Sequence, residues 1–99
     1  MSVLMILKSS GDPAKVEEWA QSNSEVMVKI VGHAREHGMI HHRFFGGDSE
    51  IVVVDEWESE DGFREFFEHD EDIPTMMQTA GAGEPQISFY RPLNTGDEA

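Results

Sequence analysis

Apolar and polar positions switch between two periods along the chain, and the switches set an order of elements. Val3-Leu4-Met5-Ile6-Leu7 is an unbroken apolar run closed by Lys8 and Ser9-Ser10-Gly11, the pattern of a buried strand that ends in a turn. Asp12-Pro13 reads as a cap and a first helical residue, and Glu17 and Glu18 follow where the helix dipole favours negative charge. Val16, Trp19, Ala20, Met27, Ile30, Val31 and Ala34 keep helical spacings of three and four up to His37-Gly38, where glycine suits the residue after a helix. This predicts one long helix, kinked near the polar Ser22-Asn23-Ser24. Met39 to Phe45 and Glu50 to Trp57 are β-prone runs joined by Gly46-Gly47-Asp48-Ser49, a hairpin composition. Ser59 then opens a helix carrying Phe63, Phe66 and Phe67. Pro74 forces a restart before Met76 and Met77. Pro85 to Arg91 alternates with a strand period and is closed by Pro92.

The order strand, helix, strand, strand, helix, strand implies an α+β class, a ferredoxin-like βαββαβ protomer with an antiparallel four-stranded sheet and its helices on one face. Residues 1–93 are expected to form a single domain and residues 94–99 a disordered polar tail. An open sheet of this kind alternates apolar and polar positions, yet Val3 to Leu7 and Ile51-Val52-Val53-Val54 are apolar at every position. Both faces are therefore expected to be covered. The helices cover one, and a second copy of the same sheet is the economical cover for the other, which predicts a homodimer.

Charge and composition narrow the partners. With 20 acidic against 7 basic residues the net charge is -13, so nucleic acid and anionic membrane surfaces are repelled. No apolar run reaches the roughly 18 residues of a membrane span, and Met1 to Ser10 lacks the marks of a leader, which predicts a cytoplasmic protein. The absence of cysteine removes thiolate chemistry, disulfides and cysteine-held metals.

Val52-Val53-Val54-Asp55-Glu56-Trp57-Glu58-Ser59-Glu60-Asp61-Gly62-Phe63, with its Trp-Glu-Ser step and a Phe six residues after the Trp, resembles the dimeric α/β-barrel superfamily and, within it, the antibiotic-biosynthesis monooxygenase branch and its haem-degrading relatives. The resemblance implies two ferredoxin-like sheets packed as a dimeric α/β barrel, with a ligand cavity between each sheet and its own helices. It also implies a cofactor-independent monooxygenase acting on a small aromatic or polyketide-like molecule. The haem-degrading branch carries an Asn late in the first strand, a Trp on the second helix and a His beyond it; Leu7, Phe66 and Thr75 or Met76 stand there instead, so no cofactor is expected. The alternative is a non-catalytic small-molecule-binding or accessory dimer, because fold by itself does not specify chemistry.

Four of the five histidines fall within ten residues. His33 and His37 share a helix face, a spacing that suits two metal ligands but also two helix-end imidazoles near the C-terminal dipole; no metal site is assigned. In the second strand Ile40, His42 and Phe44 are expected on one face and Met39, His41, Arg43 and Phe45 on the other. His42, on the more apolar row, is the candidate general base, since an imidazole in an apolar pocket can deprotonate a phenolic or enolisable substrate. Trp57 and Tyr90 are the other candidate catalytic residues, standing in for the Trp and Tyr that the resemblance implies. Phe44, Phe63, Phe66, Phe67, Met76 and Met77 are candidate ligand-binding residues, and the same side chains would serve equally as ordinary core. Twelve of the 20 acids lie between Asp48 and Asp72, and Asp70-Glu71-Asp72 is expected to be a solvated surface run.

Overall fold

The computed structural model describes residues 1–98 and contains β1 (Val3–Ser10), α1 (Pro13–Ser22), α2 (Ser24–Glu36), β2 (Met39–Gly46), β3 (Glu50–Trp57), α3 (Glu60–His69), α4 (Ile73–Thr79) and β4 (Gln86–Tyr90). The strands form one antiparallel sheet in the order β2-β3-β1-β4. This is the ferredoxin-like α+β arrangement, with each of the two helical segments split in two. No secondary structure follows Tyr90 up to Glu98, and Ala99, the end of the expected tail, lies outside the described residues.

Local chemistry explains the boundaries. The Asp12 carboxylate accepts from the Ala14 amide at 3.0 Å and Pro13 takes the first helical position, so α1 starts as its composition demands. The expected kinked helix is two helices. Asn23 leaves the helical region at φ -129°, ψ 43°, and its side-chain amide donates to the Trp19 carbonyl at 2.8 Å, closing the end of α1 before α2 begins. Gly38 follows α2 with φ +101°, a conformation that side chains rarely adopt, and its carbonyl accepts from Glu58 N at 2.8 Å, tying that turn to the end of β3. Ser59 caps α3 by accepting from the Gly62 amide at 3.1 Å.

One sheet face carries Met5, Leu7, Val53 and Trp57, which meet Ile30 and Ala34 of α2, Phe63 and Phe66 of α3 and Ile73 of α4 in the main core. The other carries Leu4, Phe45 and Tyr90, exposed in the protomer, with Ile6, Val52 and Val54 half-buried between them. The helices thus cover one side of the sheet, and on the other these apolar side chains stand among Lys8, His41, Arg43, Glu56, Gln86 and Ser88. The sequence alternation in β2 is broken by a bulge: Met39 pairs with Trp57 and His41 with Glu56, leaving Ile40 as the extra residue. Met39, not Ile40, therefore joins His42 and Phe44 on the helix side, and Ile40 is exposed.

Candidate functional site

Asp55 occupies the buried row of β3 with Ile51, Val53 and Trp57, an ionisable side chain where the strand period demands an apolar one. Directly across the ladder stands His42, whose Nδ1 lies 2.7 Å from Asp55 Oδ1. The second carboxylate oxygen accepts from Trp57 Nε1 at 3.0 Å. Trp57 is fully enclosed, packed edge-on against Phe63 with ring centroids 5.3 Å apart and tilted on Phe66 at 5.5 Å, so the carboxylate is anchored to an immobile donor. A carboxylate only accepts, so the proton of the neutral imidazole sits on His42 Nδ1 and Nε2 keeps its lone pair. The His42 ring meets Phe44 edge to face at 4.9 Å.

This pair forms the polar part of the wall of a cavity of about 80 Å³ between sheet and helices; Ser9 is the one other polar residue on it. That volume holds a few water molecules and falls short of the roughly 300 Å³ of a pocket for a drug-sized ligand. Phe44, Phe63, Phe66, Phe67, Met76 and Met77 all line it, as the sequence suggested. Trp57 stands behind the wall and acts through Asp55. Tyr90 is on the opposite face of the sheet, half exposed and paired with Leu4, because the β4 alternation turns Ile87 and Phe89 inward and Tyr90 outward. The structure therefore brings His42 and the six apolar candidates together and does not bring Tyr90 to them. Asp55 was missed by sequence reasoning. Its signal was present: an acid two residues before Trp57 in register with Ile51 and Val53 of the same strand.

A second His–Asp pair joins α2 to the residue that ends α3. His33 Nδ1 is 2.9 Å from Asp70 Oδ2, while Asp70 Oδ1 accepts from the amides of Asp72 and Ile73, both at 2.9 Å. Asp70 is buried, so the expectation of a solvated acidic run fails there: the unpaired amides at the start of α4 need an acceptor, and Asp70 supplies it. Burial opposes ionisation of Asp70, but the hydrogen bonds from His33 and the Ile73 and Asp72 amides, with the charge of His33, outweigh it and hold the carboxyl below its ordinary value. His37 lies against His33 with ring centroids 4.9 Å apart, its Nδ1 bonded to the His33 carbonyl. Among the described residues no three His, Asp or Glu side chains are grouped to hold a metal ion, and no helix is long and apolar enough to cross a membrane.

Among solved structures the chain is similar to SnoaB, a cofactor-independent oxygenase from Streptomyces nogalater, with a TM-score of 0.63 and 15% identity over 98% of each chain. It is similar to the monooxygenase from ActVA-Orf6 of Streptomyces coelicolor in complex with nanaomycin D, with a TM-score of 0.64 and 20% identity over 95% of this chain and 89% of that one. A dimeric ferredoxin-like protein from an uncultured marine organism matches at a TM-score of 0.62 and 14% identity over 95% and 93% of the two chains. The fold is theirs. No family model and no curated protein matches the sequence. At these identities the likeness is one of backbone arrangement.

Proposed function

We propose that this protein is a cytoplasmic homodimer, one domain over residues 1–93 with a polar tail at 94–99, that oxidises a small electron-rich aromatic or polyketide-like molecule with O2 and without a cofactor. The observation that carries this reading is the oriented imidazole: His42 presents Nε2 from an apolar cavity wall while a buried carboxylate, itself held by Trp57, fixes its tautomer. Nε2 takes a phenolic or enolic proton, and the resulting anion is electron-rich enough to reduce O2 at a ring carbon. In the net reaction a ring CH2 becomes C=O: the carbon loses two hydrogens and gains one oxygen atom, and the second oxygen atom leaves as water. The apolar surroundings strengthen the developing interactions by excluding bulk solvent.

The dimer is supported by the uncovered sheet face, where Leu4, Phe45 and Tyr90 stand exposed beside Val52 and Val54, and by the dimeric relatives of the same fold. A second reading, a non-catalytic small-molecule-binding or accessory dimer, is favoured by one observation, the small cavity volume. Oxygen uptake with tricyclic phenols bearing an acidic ring CH2 separates the two. The oxygenase reading expects uptake with one O2 consumed per quinone formed and a loss of about 10²- to 10⁴-fold in His42→Gln. Binding without uptake across the series leaves the accessory reading standing and sinks the enzyme.

A further inference from the structure

A second concavity bears on how a substrate larger than the cavity is held. A groove of about 560 Å³ runs between α1 and the end of the β2–β3 hairpin, walled by Pro13, Glu17 and Ala20 on the helix side and Phe45 and Gly46 on the strand side. Val16, Phe44 and Ile51 line both the groove and the His42 cavity, so these three side chains are the partition between them. Val16 and Ile51 are buried and branched at Cβ, hence stiff. Phe44 is half-buried, stands on the edge strand, and rests its ring on His42.

We infer that the groove is the outer half of the substrate site and that Phe44 is the gate joining it to the cavity, so that a planar polycyclic phenol enters edge-first between α1 and β2 with its reacting ring at His42 and its remaining rings in the groove. This rests on the oxygenase-fold reading above and extends it to the substrate's shape and charge. The inner cavity of about 80 Å³ is too small for more than part of such a molecule, whereas cavity and groove together reach the size of a ligand site. The gate reports to the base: when the Phe44 ring swings aside, His42 loses its edge contact and gains the substrate in its place. Glu17 is the one ionisable side chain on the groove wall, exposed and acidic, so a neutral phenol is admitted and a carboxylated analogue is repelled. The groove's width is set by Gly46, where an added Cβ would stand 2.7 Å from Pro13 Cβ; only glycine lets α1 lie this close to the strand.

The test uses the full-length protein with 2-naphthol and 2-naphthoic acid as probes, followed by stopped-flow fluorescence and by the ring resonances of His42. The naphthol is expected to shift the His42 signals, and the acid to bind at least about tenfold more weakly. Ala20→Trp, which fills the groove without touching the cavity, is expected to slow association about tenfold, while Gly46→Ala, which wedges α1 off the strand, and Phe44→Leu, which trims the gate, are expected to speed it about threefold. Unchanged association in all three variants, with His42 still shifted by naphthol, overturns the groove as the entrance and leaves the oxygenase reading intact. A naphthol that binds without shifting His42 overturns the assignment of the inner ring to the base. Oxygen uptake that survives His42→Gln overturns His42 as the base, and binding without uptake by the native chain sinks the oxygenase reading itself, whatever the association rates show.

Discussion

The two His–Asp pairs are built from the same side chains at nearly the same separation, 2.7 Å for His42–Asp55 and 2.9 Å for His33–Asp70, yet they are anchored differently. What differs is the partner of the second carboxylate oxygen. Asp55 gives it to a side chain, Trp57 Nε1, within the core, so the whole arrangement is a chain of side chains ending at an imidazole on a cavity wall. Asp70 keeps its second oxygen for the backbone amides of Asp72 and Ile73, so that pair ties α2 to the start of α4 and contributes rigidity. A His–Asp pair is therefore not by itself a catalytic signature; what the carboxylate's other oxygen holds, and what the imidazole's other nitrogen faces, decide its role.

The largest expected contrast comes from making the same substitution in both pairs. Asp55→Asn keeps an acceptor for Trp57 but turns an amide N–H toward His42 Nδ1, which moves the imidazole proton to Nε2 and removes the base; turnover should fall about 10²- to 10⁴-fold. Asp70→Asn should leave turnover within about twofold, and equal losses in steady-state oxygen uptake would erase the distinction between the pairs. Stability probes the second pair directly. Asp70→Ala strips the acceptor from two amides and from His33 and should cost about 1–3 kcal/mol in urea unfolding, more than Asp70→Asn, which retains one acceptor oxygen. The smallest effect is the pH dependence of that difference. The Asp70 carboxyl is held below its ordinary value of 3.8, so its contribution is fully present above that value and is lost as the pH falls below it. The stability gap between the native chain and Asp70→Ala should therefore narrow on acidification through and below that value. A gap that fails to narrow below about pH 4 would show that Asp70 is not held as an anion by His33 and the α4 amides.

Much of the fold was legible because it is local. The caps at Asp12 and Ser59, the glycine after α2 and the break at Pro74 are short-range chemistry that a chain carries wherever it folds. The Asn23 break was visible as a polar interruption, but whether it bends or ends a helix depended on its amide reaching the Trp19 carbonyl. The bulge at Ile40 was hidden, since a one-residue insertion leaves the composition of the strand unchanged and shows only in the pairing with β3. For the site, His42 and the aromatic and methionine wall followed from face and hydrophobicity. Tyr90 was grouped with them on its chemistry and turned away by the parity of β4.

By itself the sequence determined the element order and the apolar runs that place hydrophobic side chains on both faces of β1 and β3, because periodicity and caps are sums over neighbours along the chain. Only the tertiary structure decided that His42 meets Asp55 and that Asp70 meets His33, one across a strand ladder and the other across a helix interface. Those contacts join residues 13 and 37 positions apart, and their geometry depends on register and on which face a bulge turns inward, quantities that no local pattern encodes.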